Sequence, residues 1–242
     1  MAETCLHDID TIILAGGAGT RLRAVCADRP KALAPIDGKP FLRHCIEWLE
    51  RFGARRVILA LGYKADMVQD YVKTQDWHGI EILASVEAKP LDTGGAVRAA
   101  LPQLRSQTVL VLNGDSLTRV DLCAFVKRHR ARSALLSILL TYQPEVRQSG
   151  LVETNEEGLV TSFCEKPVAA DAGGYISAGV YLMEQAAIGE IEPDRPVSIE
   201  REVFPRFCGR RFYAMKGSFP FLDIGTPESL QRAAEFFAVE AA

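Results

Sequence analysis

Three glycines within four residues, Gly16, Gly17 and Gly19, followed by Thr20 and Arg21, carry the clearest chemical signal in the chain. They interrupt an apolar run, Thr11–Ala15, that reads as a short buried strand ending near Leu14. A strand running straight into glycines lets backbone N–H groups approach an anion with no Cβ in the way. Arg21 and Lys31 then supply cations to that anion, the first as a planar fork and the second as a point charge. The spacing fits neither common phosphate motif. A dinucleotide-binding turn needs a third glycine where Leu22 stands, and a P-loop needs Gly-Lys-Ser/Thr where this chain has Gly-Thr-Arg. An ordinary glycine turn would leave Arg21 and Pro30-Lys31 unexplained.

Two carboxylates follow apolar runs directly. Asp115 closes Asn113-Gly114-Asp115 after a run that is wholly apolar from Val109, and Asp223 ends the run Phe219–Leu222. A carboxylate there is costly unless it is solvated, capped or bound to metal. Asn-Gly-Asp by itself is a turn more often than a metal site. Two acids at separate strand ends suit one Mg²⁺, which takes a few carboxylates plus phosphate oxygens. The loop Glu87–Ala96, containing Gly94, falls at another strand end. Further on, Glu165-Lys166-Pro167 puts a cation where it would meet a second phosphate. Gly150 and Gly179 either admit a ligand close to the backbone or mark tight strand packing, and both readings stand.

These groups need a scaffold, and the periodicity supplies one. Apolar residues recur at helical spacing over Phe41–Phe52, with Gly53 at the expected C-terminal cap. Arg56–Leu61 and Ile80–Val86 read as strands, with a helix over Lys64–Val72 between them. A helix to about Ala100, a strand over Gln107–Leu112, a helix capped by Asp121 and a strand over Ala134–Tyr142 follow. This rhythm predicts a Rossmann-like α/β fold, a mostly parallel mixed sheet with helices on both faces. The remainder reads differently: a hairpin around Asn155–Gly158, a strand over Tyr175–Met183, a helix capped by Ser198 and ending near Pro205, and short strands over Arg211–Met215 and Phe219–Asp223. Thr226-Pro227 starts a last helix. One domain is expected, with a nucleotide-binding half over about 1–142 and a smaller mixed lobe over about 143–242. Ligands of such sheets sit at the carboxyl ends of the strands.

Composition narrows the classes. Hydrophobic residues make up 48% and charged residues 24% of 242 residues, as in an ordinary soluble protein. A net charge of −3 without a long basic run argues against nucleic acid or a membrane surface as partner. The basic face Lys127–Arg132 reads as solvated surface. The six cysteines form no Cys-x-x-Cys pair and read as reduced, mostly packing thiols. The N-terminus lacks an apolar signal core and no run reaches membrane-spanning length, so a cytoplasmic monomer or small homo-oligomer is expected.

The motifs together resemble those of the sugar-1-phosphate nucleotidylyltransferases over nearly the whole chain. Leu-x-Gly-Gly-x-Gly-Thr-Arg-Leu, Pro-Lys-x-Leu-x-Pro, Pro-Leu-x-Thr-Gly-Gly, Asn-Gly-Asp, Glu-Lys-Pro and Asp-Ile-Gly-Thr-Pro occur in the family's order. The resemblance implies the nucleotide-diphospho-sugar transferase type of fold, with a nucleoside triphosphate and a sugar 1-phosphate as substrates and Mg²⁺ as cofactor. It implies that Leu14, Gly16, Gly17, Gly19, Thr20 and Arg21 hold the triphosphate with Asn113 beside it, and that Lys31 bridges the reacting phosphates. Glu87 and Gly94 would face the base, Asp115 and Asp223 would hold Mg²⁺, and Gly150, Glu165, Lys166 and Gly179 would meet the sugar phosphate. Arg21, Lys31 and Lys166 are then the catalytic cations. Leu-Asp-Thr-Gly-Gly points within the family to GTP and a heptose- or mannose-type sugar, although Asp92 stands where many relatives have glycine. A uridylyl transfer to another sugar such as N-acetylmuramate 1-phosphate, or a non-catalytic sugar-nucleotide sensor, are the alternatives. No hexapeptide-repeat segment accompanies these motifs, so acetyl transfer is not expected. For guanine, a carboxylate at Glu87 can accept from both N1–H and the N2 amine, whereas uracil offers one donor flanked by acceptors.

Overall fold

A computed structural model describes residues 4–19, 28–144, 151–164 and 173–238. The first strand, β1 (Asp10–Leu14), is followed by a two-stranded ribbon, β2 (Pro35–Ile36) and β3 (Lys39–Pro40), turned at Asp37-Gly38. Then come α1 (Phe41–Arg51), β4 (Arg56–Leu61), α2 (Ala65–Lys73), β5 (Glu81–Val86), α3 (Asp92–Ala100), β6 (Thr108–Asn113), β7 (Ser116–Thr118) and α4 (Leu122–Ala131). The second half contributes β8 (Leu136–Gln143), β9 (Leu151–Thr154), β10 (Val160–Cys164), β11 (Gly174–Glu184), α5 (Gln185–Gly189), a π-helical turn (Ile199–Val203) and α6 (Phe204–Phe207). It closes with β12 (Phe212–Gly217), β13 (Phe221–Asp223), α7 (Pro227–Gln231) and α8 (Ala233–Ala238).

Nine strands form one mixed sheet. β1 lies between β4 and β6, parallel to both, and β5 extends the parallel part beyond β4. Successive side chains along each strand point to opposite faces of the sheet, as the pleat requires. Val109 and Val111 of β6 join Ile12 in one hydrophobic core, while Leu110 and Leu112 join Ile13 in the other. α1 and α4 cover the second core, and α3, α5 and α6 cover the first. Each such fully buried aliphatic side chain contributes roughly 1.5–3 kcal/mol, so the two cores fix the sheet before any polar contact matters.

The strand order departs from a simple run of parallel crossovers. β11, from the second half, inserts between β6 and β8 antiparallel to both, and β9 and β10 extend from its first residues. β11, at 11 residues, pairs with β6 and β8 on either side and breaks register with β8 between Ser177 and Tyr181. Gly179 sits inside that break with φ +70°. The expected helix after Ser198 is a π-helical turn running into α6, which ends at Phe207, soon after Pro205 as expected. Pro205 has no N–H to bond the preceding turn, and the run ends within two residues of it.

The cysteine reading needs a correction. Cys5 and Cys123 form a disulfide, with Cα atoms 5.3 Å apart. The N–H groups of Cys5 and Leu6 both donate to Phe52 O at 3.0 Å, and Leu6 is fully buried, so the N-terminal segment folds back. That return brings Cys5 against the first turn of α4. A separation of 118 residues gives no spacing signal in the sequence. Among the described cysteines, Cys45 and Cys208 are free.

α4 is tied to the sheet by a buried polar chain. His129 Nδ1 lies 2.8 Å from Ser137 Oγ, and Nε2 lies 3.0 Å from Glu184 Oε1, which also accepts from Thr108 Oγ1. The order Ser–His–Glu imitates a hydrolase triad, but Ser137 is 4% exposed and lies outside the cavity at the strand ends. Its role is to hold α4 on β8 and β11. Burial lowers the His129 pKa, and the Glu184 carboxylate opposes that without reversing it. The folded state therefore resists protonating a group that the unfolded chain protonates near pH 6.5. The stability involved is present above that pH and is lost as pH falls below it. Thermal melts from pH 7 to pH 5 should show a steeper loss of Tm in the parent than in His129→Gln; equal slopes would remove His129 from the acid response.

Candidate active site

The carboxyl ends of β1, β4 and β6 open into a cavity of about 700 Å³. Its wall includes Leu14 through Gly19, Gly62, Tyr63, the Glu87–Pro90 segment, Asp92, Thr93, Asn113, Gly114 and Asp115, with Lys31 and Gly225 at one side. The crevice lies where an open α/β sheet is expected to bind its ligand. Leu14, Gly16, Gly17, Gly19, Lys31, Glu87, Asn113 and Asp115 thus gather at one place from widely separated positions.

Close backbone approach makes this wall possible. Tyr63 N donates to Gly16 O at 3.0 Å and Gly114 N donates to Leu14 O at 2.9 Å, pinning the glycine loop to the ends of β4 and β6. A Cβ on Gly114 would lie 2.4 Å from Leu14 O, and one on Gly62 would lie 2.9 Å from Gly16 O. Gly17 is different: nothing lies within 4 Å of its Cβ position, so it faces open space. Gly19 has φ +54°, the left-handed region that favours glycine, and packs on the stem of Lys31.

Glu87 fits against the same glycines. Its Oε1 lies 3.0 Å from the Cβ position of Gly16 and 2.3 Å from that of Gly62. Its Oε2 accepts from Leu91 N at 2.9 Å, so one oxygen already braces the loop. Burial raises the Glu87 pKa, the Leu91 N–H opposes this, and Asp92 adds to it. Asp92 itself has φ +58°, the conformation glycine would adopt. The aspartate holds that path by accepting from Thr93 N at 2.7 Å and pairing with Arg201 at 2.9 Å.

Gly94 does not face the cavity. Its N–H donates to Val197 O at 2.7 Å, and a Cβ there would lie 3.0 Å from that oxygen. The glycine lets the segment before the π-helical turn press against the start of α3. Thr93 continues this seam, accepting from Ile199 N at 2.8 Å and donating to Glu200 Oε2 at 3.1 Å. Burial raises the pKa of Glu200. Gly179 likewise serves packing, because its Cβ position lies 2.4 Å from Ser116 Oγ.

Asp115 and Asp223 are brought together as expected. β13 pairs with β7 so that Asp223 lies opposite Ser116, and Ile224 N donates to Asp115 O at 2.9 Å. Lys31 Nζ stands between them, 2.7 Å from Asp115 Oδ2 and 3.9 Å from Asp223 Oδ1. The pair therefore already draws a cation. Among the described residues no group of three or more histidine, cysteine or acidic side chains forms a metal site. Two carboxylates fit Mg²⁺ when phosphate oxygens and water complete its shell. Thr20, Arg21, Gly150, Glu165 and Lys166 lie outside the described residues. Gly62, Gly114 and Gly225 were not singled out from the sequence, although Gly62 carries the same signal as Gly16, a glycine directly after a buried strand.

A family profile described as Nucleotidyl transferase matches residues 10–240. A D-glycero-alpha-D-manno-heptose 1-phosphate guanylyltransferase from Aneurinibacillus thermoaerophilus is 35% identical over 226 residues, covering 93% of this chain and 96% of that protein. A mannose-1-phosphate guanylyltransferase from Mycobacterium tuberculosis is 34% identical over 93% of this chain, which spans 64% of that longer protein. The crystal structure of HddC from Yersinia pseudotuberculosis complexed with GMP-PN superposes with a TM-score of 0.84 at 34% identity, covering 95% of this chain and 99% of that one. A putative glucose-1-phosphate thymidylyltransferase from Bacillus anthracis, 21% identical with a TM-score of 0.79, shares the fold.

The glycine contacts give a direct test. Gly62→Ala should lose about 1–3 kcal/mol in denaturant unfolding, the usual cost of overpacking. Gly17→Ala should stay within about 0.5 kcal/mol of the parent, since its methyl meets open space. Equal losses would contradict the close approach at Gly62.

Proposed function

This chain belongs to the nucleotidyl transferase family, and from that premise we propose that it joins GTP to a heptose- or mannose-type sugar 1-phosphate, giving a GDP-sugar and pyrophosphate. It is a sugar-1-phosphate nucleotidylyltransferase. The observation that carries nucleotidylyl transfer is the convergence of the glycine loop, Lys31 and Asp115, with Asp223 beside them, at one cavity on the strand ends, while GTP and the sugar type are supported by the guanylyltransferase relatives.

The reaction is attack of a sugar-phosphate oxygen on the α-phosphorus of the triphosphate. The nucleophile is already ionised, so no general base is required, and none of the histidines lines the cavity. The difficulty is electrostatic, because several negative charges must meet. Backbone N–H groups of the glycine loop bind and orient the triphosphate, and Lys31 neutralises the reacting phosphates. Arg21 and Lys166 are assigned to the triphosphate and the sugar phosphate by motif alone. Asp115 and Asp223 would hold Mg²⁺, which supplies charge neutralisation across both phosphates. A reaction drawing on nucleoside triphosphate suits the cytoplasm. Among the described residues no helix is long and apolar enough to cross a membrane.

A screen of pyrophosphate release with five triphosphates against a panel of sugar 1-phosphates should give its highest kcat/KM with GTP and a heptose or mannose 1-phosphate. Release with no pair would favour the sensor reading. Asp115→Asn should lower turnover on the order of 100-fold, by analogy with removing one charge-stabilising donor, with a Tm close to the parent's. Full activity, or an unfolded variant, would defeat the assignment.

Base choice is tested at Glu87. If its carboxylate reads guanine, Glu87→Gln shrinks the GTP-over-UTP ratio of kcat/KM, because the wrong base no longer faces a fixed acceptor pair. If Glu87 serves only as the brace for Leu91, both triphosphates lose activity together and the ratio is unchanged.

A further inference from the structure

Lys31 is placed at the carboxylates rather than at the glycine loop, and its surroundings hold it there. Its side chain is 12% exposed, while those of Asp115 and Asp223 are 42% and 52% exposed. Its backbone begins a short 3-10 turn, Lys31–Leu33, anchored by buried Ala32 and Leu33. The Gly19 Cβ position lies 3.3 Å from Lys31 Cβ, so the root of the side chain is pressed by the glycine loop. Only the outer methylenes and the ammonium are left to re-aim.

Hydrogen bonds also hold the segments that carry the two acids. Asp115 is held through its own carbonyl by Ile224 N, and Asp223 Oδ1 accepts from Gly225 N at 2.5 Å. Two such carboxylates repel each other unless a cation stands with them. The structure supplies that cation from within the chain.

We propose that Lys31 and a divalent metal compete for the Asp115–Asp223 pair, so that arrival of the metal releases the ammonium to the phosphates of the substrates. This rests on the assignment of Asp115 and Asp223 to Mg²⁺ given above. The charge balance favours the exchange. Two carboxylates carry two negative charges, which one lysine offsets by half and a divalent cation offsets fully. The lysine charge is then surplus at the acids and belongs with the incoming anions. The pair alone is a poor metal site, since two carboxylates leave most of an octahedral shell to phosphate oxygens and water. Lys31 therefore withholds the pair from metal that arrives without nucleotide and gives it up to metal that arrives with it. In this role Lys31 is both a phosphate ligand and the element that couples metal entry to substrate entry.

The test uses metal alone, without nucleotide. Mn²⁺ binding, followed by electron paramagnetic resonance, should be about tenfold tighter in Lys31→Met than in the parent, the scale of removing one charge-assisted competitor. Lys31→Arg, which keeps the charge, should bind as weakly as the parent. Affinity in Lys31→Met equal to or weaker than the parent's would overturn the competition. A second measurement uses the unaltered protein, in case the methionine variant folds poorly. Acetic anhydride should modify Lys31, located by peptide mass spectrometry, several-fold faster once Mg²⁺ is raised to a concentration that saturates the pair even without nucleotide. An unchanged rate would equally overturn it. Pyrophosphate release by the parent with Mg²⁺ reports on the catalytic reading separately, so its loss and the loss of the competition can be told apart.

Discussion

The approach of three backbones at the ends of β1, β4 and β6 is the constraint on which the rest of the site depends. Leu14 O and Gly16 O accept hydrogen bonds from Gly114 N and Tyr63 N, at distances that leave no space for a Cβ on Gly62 or Gly114. The glycine loop consequently leaves the sheet in one direction only. Glu87 then fills the notch that Gly16 and Gly62 create, and its second oxygen sets the course of the loop that follows β5. A single packing condition thereby shapes two walls of the cavity.

Electrostatics is arranged on that frame. The acids stand on β7 and β13 and the connections beside them, elements outside the main sheet, and the two strands are paired so that Asp223 reaches Asp115. Lys31 comes from a separate 3-10 turn, and the root of its side chain packs on Gly19. Positive and negative groups are thus mounted on different elements.

The second half of the chain does more than append a lobe. β11 is built into the centre of the sheet, and the segment from Arg195 to Arg201 closes the start of α3. Val197 O accepts from Gly94 N and Gly95 N, which would otherwise be unpaired donors at a helix start. Arg201 then holds Asp92, whose left-handed backbone shapes the rim of the cavity. The disulfide between Cys5 and Cys123 fastens the N-terminal segment to α4, which follows directly on β7. Through these ties the second half of the chain braces the rim of the cavity.

Local pattern was enough to place most helices and strands, the glycine loop, and the two acids after apolar runs. Those features depend on periodicity and on the cost of burying charge, and both are written residue by residue. Asp92 illustrates the limit: its identity departs from glycine, yet its side-chain bonds to Thr93 and Arg201 keep the left-handed path. The insertion of β11 between β6 and β8, the disulfide across 118 residues and the inward turn of Gly94 were decided by tertiary structure. Each joins partners far apart in the chain, and a strand's sequence declares its burial but not its neighbour. The same holds for Lys31, whose type announces a cation while only the folded chain sets it 2.7 Å from Asp115.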